Sequence, residues 1–414
     1  SLTGKLLPVL IVLCLWCMSG AYAYADTDTA RTNTVCYNNR SIHTAGRLIA
    51  EVVRDSAGNK YVQTVHTLQA DTIDTIGGAA RVFPHVSATR TCYYEGQPEA
   101  QITQTLTFTY ENTYGNLVQQ TETSTDQAKI TANISYHAQY NGNYCVNKVS
   151  NVEVRDEAGR LLRRRTTDID TMGHLTAIHD YTDSSHAVTT RMEYDTYGNI
   201  TALHGPNTST YYAYDSVIHT YPVEIRDTFG IASYMQDYDY RFGVPRTIVD
   251  RAGNRMEYTL DAWGRTLTIR GPKEIAANQP YTLRFSYYGK DSLKAYASSL
   301  TEHYDPQHPH NSIKVRTYCD GLGRIVQTRK EAAVNGVEKL IISGHVEYDV
   351  LGRATANYYP TEIHKDSTRF RFITDQSAPA STVTYDVLDR PKTQTAPDGS
   401  TTGFEYGFAY NNDL

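Results

Sequence analysis

The sequence predicts an all-β protein in which repeated antiparallel β-hairpins join into one long sheet. Three observations support this fold class. The tetrapeptide Asp-x-x-Gly recurs along the chain, often directly after a tyrosine. Apolar and polar residues alternate with period two on both sides of many copies. Tyrosine contributes 34 residues, against 9 phenylalanines and 2 tryptophans, and it suits half-exposed sheet faces with one apolar side and one wet tip.

The recurring tetrapeptide has the composition of a type I turn, which favours Asp or Asn at its first position and Gly at its fourth. The Asp side chain can accept a hydrogen bond from a main-chain N–H two residues later, and Gly tolerates the left-handed conformation that closes the turn. Such turns commonly connect hairpins. We therefore assign a structural turn role to the motif residues Asp156, Gly159, Asp170, Gly173, Tyr194, Asp195, Gly198, Asp261, Gly264, Asp320, Gly323, Tyr348, Asp349, Gly352, Tyr385 and Asp386.

Other copies are less regular. Further turns are expected at Asp55, Asp227 and Asp250, and Asn112 takes the place of Asp in another copy. Asp389 stands where Gly is expected, but Asp is among the few other residues that adopt the left-handed conformation, so this turn should still form. Residues 240–243 (Tyr-Arg-Phe-Gly) lack the leading Asp and are a weaker copy.

The residue before the turn glycine is often large and apolar. We expect it to fold over the end of its hairpin and pack there. The residues concerned are Tyr114, Met172, Tyr197, Phe229, Trp263, Leu322 and Leu351.

Residues 1–25 differ from the rest of the chain and predict a signal peptide. Lys5 precedes an apolar run from Leu6 to Met18, and residues 23–25 (Ala-Tyr-Ala) form a cleavage site before Asp26. The run is short for a membrane span; the alternatives are an uncleaved anchor or a buried strand. We expect a secreted or cell-surface protein with an N-terminal β-rich flank and first variant repeat at 26–100, followed by repeats over 101–414, truncated at the C-terminus.

Signal-peptide cleavage would remove Cys14 and Cys17. The remaining cysteines have no CxxC spacing, so they do not suggest a zinc site. In an exported chain they can form disulfides in three different pairings, and half-buried thiols are the alternative. These cysteines are Cys36, Cys92, Cys145 and Cys319.

A search for catalytic and ligand-binding motifs assigns no catalytic, cofactor or metal residue. The chain contains no nucleophile elbow, P-loop, His-Glu-x-x-His or dinucleotide-binding motif. Its net charge of −6 does not indicate binding to nucleic acid. His303, Asp305, His308 and His310 resemble a metal-binding cluster, but two prolines and polar neighbours favour an exposed loop. Calcium binding by the turn aspartates would require glycine-rich repeats that are absent.

The Tyr-Asp-x-x-Gly-Arg/Asn units at 194–199 and 348–353 are the signature of YD repeats, also called RHS repeats. From roughly residue 45 onwards, the chain resembles that family, which includes bacterial RHS proteins, wall-associated bacterial proteins, teneurins, and the B and C components of insecticidal Tc toxin complexes. Residues 53–59 and 154–162 are similar to the variant repeats of the Tc toxin B-type proteins.

The resemblance implies a sheet that spirals into a hollow shell, here incomplete, around a C-terminal cargo polypeptide. In toxin members the cargo is released by self-cleavage at a core region downstream of the repeats. No such core occurs before Leu414, so no catalytic residue is carried over. The implied function is a non-enzymatic shell segment of a secreted toxin-like protein, with its own cargo domain or other toxin-complex subunits as partners. The alternative is a carbohydrate-binding or adhesion module whose tyrosines stack on cell-surface glycans; the motif search disfavours an enzyme.

Overall fold

The computed structural model describes residues 23–28, 31–39, 41–76, 78–137, 145–289, 297–309, 311–364 and 378–408. The greater part of the predicted signal peptide, including Cys14 and Cys17, lies outside the described residues, as do His310 and residues 409–414. Residues 23–25, at the end of the predicted signal peptide, lie in the first strand, where they pair with residues 34–36.

The described chain is almost entirely β-structure, so the predicted fold class is confirmed. The first strands are β1 (Ala23–Asp28), β2 (Arg31–Tyr37), β3 (Leu48–Asp55), β4 (Lys60–Ile76), β5 (Ala79–Tyr93), β6 (Ile102–Tyr110), β7 (Leu117–Ser124), β8 (Ile130–Tyr136), β9 (Val149–Asp156), β10 (Leu161–Ile169), β11 (Leu175–Tyr181) and β12 (Ala187–Tyr194). The next are β13 (Ile200–His204), β14 (Ser209–Tyr214), β15 (Pro222–Asp227), β16 (Ala232–Asp239), β17 (Val244–Val249), β18 (Arg255–Leu260) and β19 (Thr266–Arg270). After the short helix α1 (Pro272–Ala276) come β20 (Leu283–Tyr288), β21 (Ala297–His303), β22 (Ile313–Cys319), β23 (Ile325–Val334), β24 (Val337–Ser343), β25 (Val346–Tyr348), β26 (Ala354–Tyr358), β27 (Thr361–His364), β28 (Ala380–Tyr385), β29 (Pro391–Thr395) and β30 (Thr401–Gly403).

Among the described residues, these strands form a 25-stranded sheet and a five-stranded sheet. Their pairings are antiparallel and join strands that are close in sequence. The smaller sheet contains β25, β26, β28, β29 and β30. The chain divides into two compact units. The first comprises Ser1–Met192, Tyr385–Arg390 and Phe404–Leu414, and the second comprises Glu193–Thr384 and Pro391–Gly403.

Because consecutive strands run in opposite directions, the turns within each unit alternate between two edges of the sheet. We call the edge formed by turns that follow even-numbered strands the even edge, and the other the odd edge. In the first unit, the even edge carries the turns at Glu111 and Asp170, and the odd edge those at Asp55 and Asp156. In the second unit, the even edge carries the turns at Asp195, Asp215, Asp239, Asp261 and Asp320, and the odd edge those at Asp227 and Asp250.

Many strands have no fully buried face. Every residue of β3 and of β9 is half-buried, although both strands are rich in valine and other residues that favour sheets. This pattern is expected where strands are held by their ladders and by contacts between neighbouring side chains rather than by one deep core. It agrees with the abundance of tyrosine, whose ring tolerates partial exposure.

Within the first unit, the turn at residues 385–390 is fixed to segments that lie far away in sequence. The Arg390 guanidinium donates two hydrogen bonds to the Glu95 carboxylate, at 3.1 and 2.7 Å. Arg31 donates to the Asp389 carboxylate at 2.9 Å. The paired arrangement at Glu95, whose side chain is only 11% exposed, is the stronger kind of charge-assisted contact.

Candidate functional site: the interlocked turns

The turn at Asp261 illustrates how the repeated motif folds. The main-chain N–H of Gly264 donates to the Asp261 carbonyl at 3.1 Å, and the Asp261 N–H donates to the Arg265 carbonyl at 2.8 Å. Oδ1 of Asp261 accepts from the main-chain N–H groups of Trp263 and Arg265, at 2.8 and 2.9 Å. Gly264 has φ of +80°, a conformation that strains residues with a Cβ atom. Asp and Gly therefore shape this turn together.

The same arrangement recurs along the chain. In each regular copy the glycine N–H donates to the aspartate carbonyl over 3.0 to 3.2 Å, and the glycine φ lies between 78 and 87°. The copies pair Asp55 with Gly58, Asp156 with Gly159, Asp170 with Gly173, Asp195 with Gly198, Asp227 with Gly230, Asp250 with Gly253, Asp261 with Gly264, Asp320 with Gly323 and Asp349 with Gly352. At residues 386–389 the turn also forms, because Asp389 adopts φ of 64° and its N–H bonds to the Asp386 carbonyl at 3.2 Å.

The carboxylate of the turn at Asp195 is held in its ionised form. Around Asp195, the side-chain amide of Asn199 donates to Oδ2 at 2.9 Å, and the main-chain N–H groups of Tyr197 and Asn199 donate to Oδ1. The Asn199 amide and then these main-chain groups lower the pKa of Asp195. A lowered folded-state pKa means that this contribution to stability is present above the unfolded pKa and is lost as the pH falls through the folded value.

Two irregular copies differ from the sequence prediction because they are one residue longer. Asn112 is not the turn leader: Glu111 is, and its carboxylate accepts from the N–H groups of Thr113, Tyr114 and Asn116 at 2.6 to 3.0 Å. The Gly115 N–H donates to the Glu111 carbonyl at 3.2 Å.

The turn at residues 240–243 likewise has a leading aspartate, one residue earlier than the motif requires. The main-chain N–H of Gly243 donates to the carbonyl of Asp239 at 2.9 Å. The Asp239 side chain is nearly buried and binds Arg241 and Arg246, each at 2.8 Å. Hydrogen bonds from these two guanidinium groups lower the pKa of Asp239 strongly.

A longer turn at residues 215–221 was not predicted from the sequence. The buried carboxylate of Asp215 accepts five main-chain N–H groups, from residues 217 to 221, at 2.7 to 3.3 Å. Burial acts to raise its pKa, but these hydrogen bonds outweigh burial and lower it. The dipeptide Tyr214-Asp215 is itself the sequence signal, and so is Tyr238-Asp239. The prediction missed both because it required Gly three residues after Asp.

At two successive turns on the even edge of the second unit, a side chain from one turn covers the glycine of the next turn. In the second unit, an added Cβ on Gly264 would lie 2.6 Å from the Phe242 ring, and one on Gly243 would lie 2.6 Å from the Tyr221 hydroxyl. On the odd edge, an added Cβ on Gly230 or Gly253 meets nothing within 4 Å. Glycine is thus required at Gly243 and Gly264 for close packing as well as for its φ angle, whereas a Cβ on the even-edge Gly323 meets nothing within 4 Å.

In the first unit, two even-edge glycines are also covered, one by a side chain of a strand and one by a side chain of a loop. A Cβ on Gly115 would lie 3.0 Å from the Phe83 ring, and one on Gly173 would lie 2.5 Å from the sulfur of Cys145. A Cβ on the odd-edge glycines Gly58 and Gly159 meets nothing within 4 Å. Covered glycines therefore occur on the even edge of each unit, although a Cβ on Gly46 or Gly78, which follow even-numbered strands, meets nothing within 4 Å.

Four tyrosines near the ends of even-numbered strands each bridge the end of one ladder through a hydroxyl hydrogen bond. The ladder between β15 and β16 ends at Glu224 and Tyr234. Beyond it, the Tyr238 hydroxyl donates to the Pro222 carbonyl at 2.6 Å. The equivalent bonds join Tyr136 to Leu117, Tyr214 to Ile200, and Tyr287 to Thr266, over 2.8 to 2.9 Å. Burial raises the pKa of all four phenols, so they donate as neutral hydroxyls. Phenylalanine could not satisfy these carbonyls.

Polar side chains after the turn glycine reach forward to the next turn. The Asn199 amide donates to the carbonyl of His219 at 2.7 Å, and in the first unit Asn116 donates to Val146 at 2.8 Å. Two arginines that follow a turn glycine lie over tyrosine rings, Arg265 over Tyr287 at 4.3 Å and Arg324 over Tyr348 at 4.0 Å. Such cation–π contacts add to the bond that the arginine makes with its own turn aspartate.

The motif tyrosines occupy comparable positions. Tyr194, Tyr348 and Tyr385 each end a strand and are half-buried. The guanidinium carbon of Arg324 lies 4.0 Å from the centre of the Tyr348 ring. The tyrosine of the motif therefore receives an arginine from an earlier turn.

The expectation that apolar residues before the turn glycine pack over their own hairpin ends is wrong for all but one of them. Leu351 is half-buried, but the other side chains are exposed, because this position of the turn points away from the strands. Contacts that do form go to a neighbouring turn: Tyr197 stacks on His219, with ring centres 4.0 Å apart. The exposed residues are Tyr114, Met172, Tyr197, Phe229, Trp263 and Leu322.

The metal-like cluster in the sequence is only partly described. Nδ1 of His308 lies 2.8 Å from the Asp305 carboxylate, in a loop where the His308 side chain is exposed. His303 ends β21, and His310 lies outside the described residues. Among the described residues, no group of three or more His, Cys, Asp or Glu side chains is placed to hold a metal ion.

Cys92 and Cys319, which follow the predicted signal peptide, are free thiols. Cys92 is buried and accepts a hydrogen bond from the Thr103 hydroxyl at 3.7 Å. Cys145 supplies the sulfur that covers Gly173.

In the described part of the chain, no helix has the length and apolar character needed to cross a membrane.

We predict that alanine at Gly264 destabilises the protein more than alanine at Gly253. Both glycines have φ of 80°, so both variants carry the left-handed strain of about 1–2 kcal/mol. Only G264A also forces a Cβ against Phe242, which should lower the free energy of unfolding by roughly a further 1–3 kcal/mol. Chemical unfolding measures the difference. Equal losses would show that even-edge packing is unimportant, whereas F242A combined with G264A should remove the additional loss.

A second prediction concerns the bridging hydroxyls. Y238F should lower the free energy of unfolding by about 0.5–1.5 kcal/mol, because it removes a hydrogen bond and leaves the Pro222 carbonyl without its donor. Y234F is the matched control: Tyr234 lies on the same strand, is exposed, and its hydroxyl makes no hydrogen bond with the described residues. If the two variants unfold at the same denaturant concentration, the hydroxyl does not stabilise the ladder end.

Comparison with known proteins places this geometry among solved folds. A family model described as a domain of unknown function (DUF6443) matches residues 293–406. A search of curated proteins found no match. The crystal structure of TcdB2-TccC3 matches with a TM-score of 0.71 and 14% identity, over 90% of this chain and 26% of that chain.

The Tc holotoxin pore of Photorhabdus luminescens, with a substitution in TccC3, matches with a TM-score of 0.73 and 12% identity, over 92% of this chain and 30% of that chain. This chain thus spans less than a third of the length of the solved chains that it matches. At this level of identity the comparison establishes the fold. The chain therefore has the fold of the Tc toxin chains that it matches, in agreement with the resemblance to YD-repeat proteins that its motifs indicate.

Proposed function

We propose that this chain is a non-enzymatic, structural segment of an exported YD-repeat shell that surrounds a polypeptide cargo. The observation that carries the proposal is the interlock of the turns. The carboxylate, the glycine and the tyrosine of the repeated unit are all occupied in joining one hairpin to the next. Because its polar groups are used in these bonds, the motif has a structural role in the sheet and not a catalytic one.

The fold shared with the TcdB2-TccC3 structures supports the same proposal. A long sheet that curls on itself covers its own strand edges and leaves an interior space. The partners we propose are a cargo domain of the same protein or other subunits of a toxin complex. Retention on a glycan array would instead favour the adhesion module considered from the sequence.

If the proposal holds, the polypeptide encoded after residue 414 is protected by the intact full-length protein. Limited proteolysis should leave that polypeptide uncut in the folded protein and should degrade it when it is produced alone, because the wall excludes the protease. Mass spectrometry of the digests gives the result. Equal cleavage rates in the two preparations would contradict encapsulation.

We also propose that residues 1–25 direct export and are removed before Asp26. The mature protein, recovered from the exported fraction, should begin at Asp26 by N-terminal sequencing. A25Y places a bulky residue at the cleavage position and should leave the precursor uncleaved, while A30Y, five residues further on, should be processed normally. Export of an unprocessed wild-type chain would contradict the assignment.

A further inference from the structure

The even edge of the second unit displays a row of exposed apolar side chains. Four successive turns on this edge contribute Tyr197, Val217, Phe242 and Trp263, which are 64, 64, 40 and 79% exposed. Ile218 lies beside Val217 and is also exposed. We call these five residues the apolar row.

The odd edge of the same unit lacks such a row. Its turn at residues 205–208 is Gly-Pro-Asn-Thr, and its turn at Asp250 carries Ala252 where the even edge carries an aromatic residue. Phe229 and Ile231, both in the turn at Asp227, are the exceptions and are 80 and 46% exposed. The contrast between the two edges indicates that the apolar row is a property of the even edge and does not follow from turn chemistry, which is the same on both edges.

The apolar row has a regular spacing. Neighbouring strands lie about 4.8 Å apart, so turns on one edge recur roughly every 10 Å, and four of them cover about 30 Å. Ridges at equal intervals fit best into grooves at the same intervals. A second apolar row offers that spacing.

The charges around the apolar row are of both signs and sum to a small total. The carboxylates of Asp195 and Asp215 accept only amide and main-chain N–H hydrogen bonds, and the other two turn aspartates pair with arginines. Asp239 pairs with Arg241 and Arg246, and Asp261 pairs with Arg265. These ion pairs leave little net charge to attract a strongly acidic or basic partner, and exposed pairs of this kind add little to affinity. Recognition at this edge must therefore rest on apolar contact.

We propose that the apolar row is a docking surface for the apolar row of a second copy of this chain. At the exposures given above, the five side chains leave roughly 500 Å² of surface open on each copy. Two facing rows would then bury about 1,000 Å² in total, which reaches the lower limit for a specific interface. A two-fold axis between the copies presents the same residues from both sides and lets the tips interdigitate.

This association does not depend on a cargo, so it can fail or succeed independently of the proposed shell function. Sedimentation equilibrium of the chain across the micromolar range should show a mass that rises with concentration from one copy of 46.5 kDa towards two. Placing charges in the apolar row should abolish the rise, because two facing carboxylates would be desolvated on docking.

The test compares two double variants that each add two carboxylates at exposed turn positions of the second unit. V217E/W263E changes the even edge and should raise the dissociation constant by about tenfold or more. F229E/A252E changes the odd edge and should leave association unchanged. Thermal melting of both variants checks that they fold. A wild-type chain that stays monomeric throughout, or equal dissociation of the two variants, would overturn the proposal.

Discussion

The structure depends on the capture of main-chain N–H groups by the carboxylate at the start of each turn. A hairpin must reverse direction within a few residues, and the N–H groups inside the reversal have no strand partner. The carboxylate accepts them, and a residue with positive φ completes the reversal. Each strand can then pair with the one before it, so a local bond repeated along the chain produces a very large sheet.

A turn that is stable alone does not fix its position relative to the next turn. At Gly243 and Gly264 that requirement is met by a side chain of the preceding even-edge turn that covers the glycine, and tyrosine hydroxyls bridge several ladder ends. Each repeat therefore contacts chiefly its immediate neighbours, and its stability depends on them, as in other repeat proteins. A defect at one even-edge glycine, such as Gly264, should weaken two hairpins, whereas a defect at Gly253 should weaken one.

The fold class and the regular turns could be predicted because they depend on residues within four positions of one another. Asp261 and Gly264 determine their turn almost alone. The longer turns at Glu111 and Asp239 were misread because one additional residue moves the leader out of the motif, although the same cap forms. The role of Tyr238 could not be predicted, since its hydroxyl meets a carbonyl on a different strand and only the register of the sheet brings the two together.

The expectation that the apolar residues before the turn glycines pack on their own hairpins also failed because it depended on contacts beyond the local sequence. In a sheet without a deep core, a side chain at the turn has no interior to enter, and it is covered only where a neighbouring turn approaches. Tyr197 is partly covered by His219, whereas Trp263 is not covered. Burial of such residues is not needed to fold a hairpin that its carboxylate already holds. Large apolar side chains kept at these positions are therefore better explained by a surface outside the hairpin than by the stability of the hairpin itself.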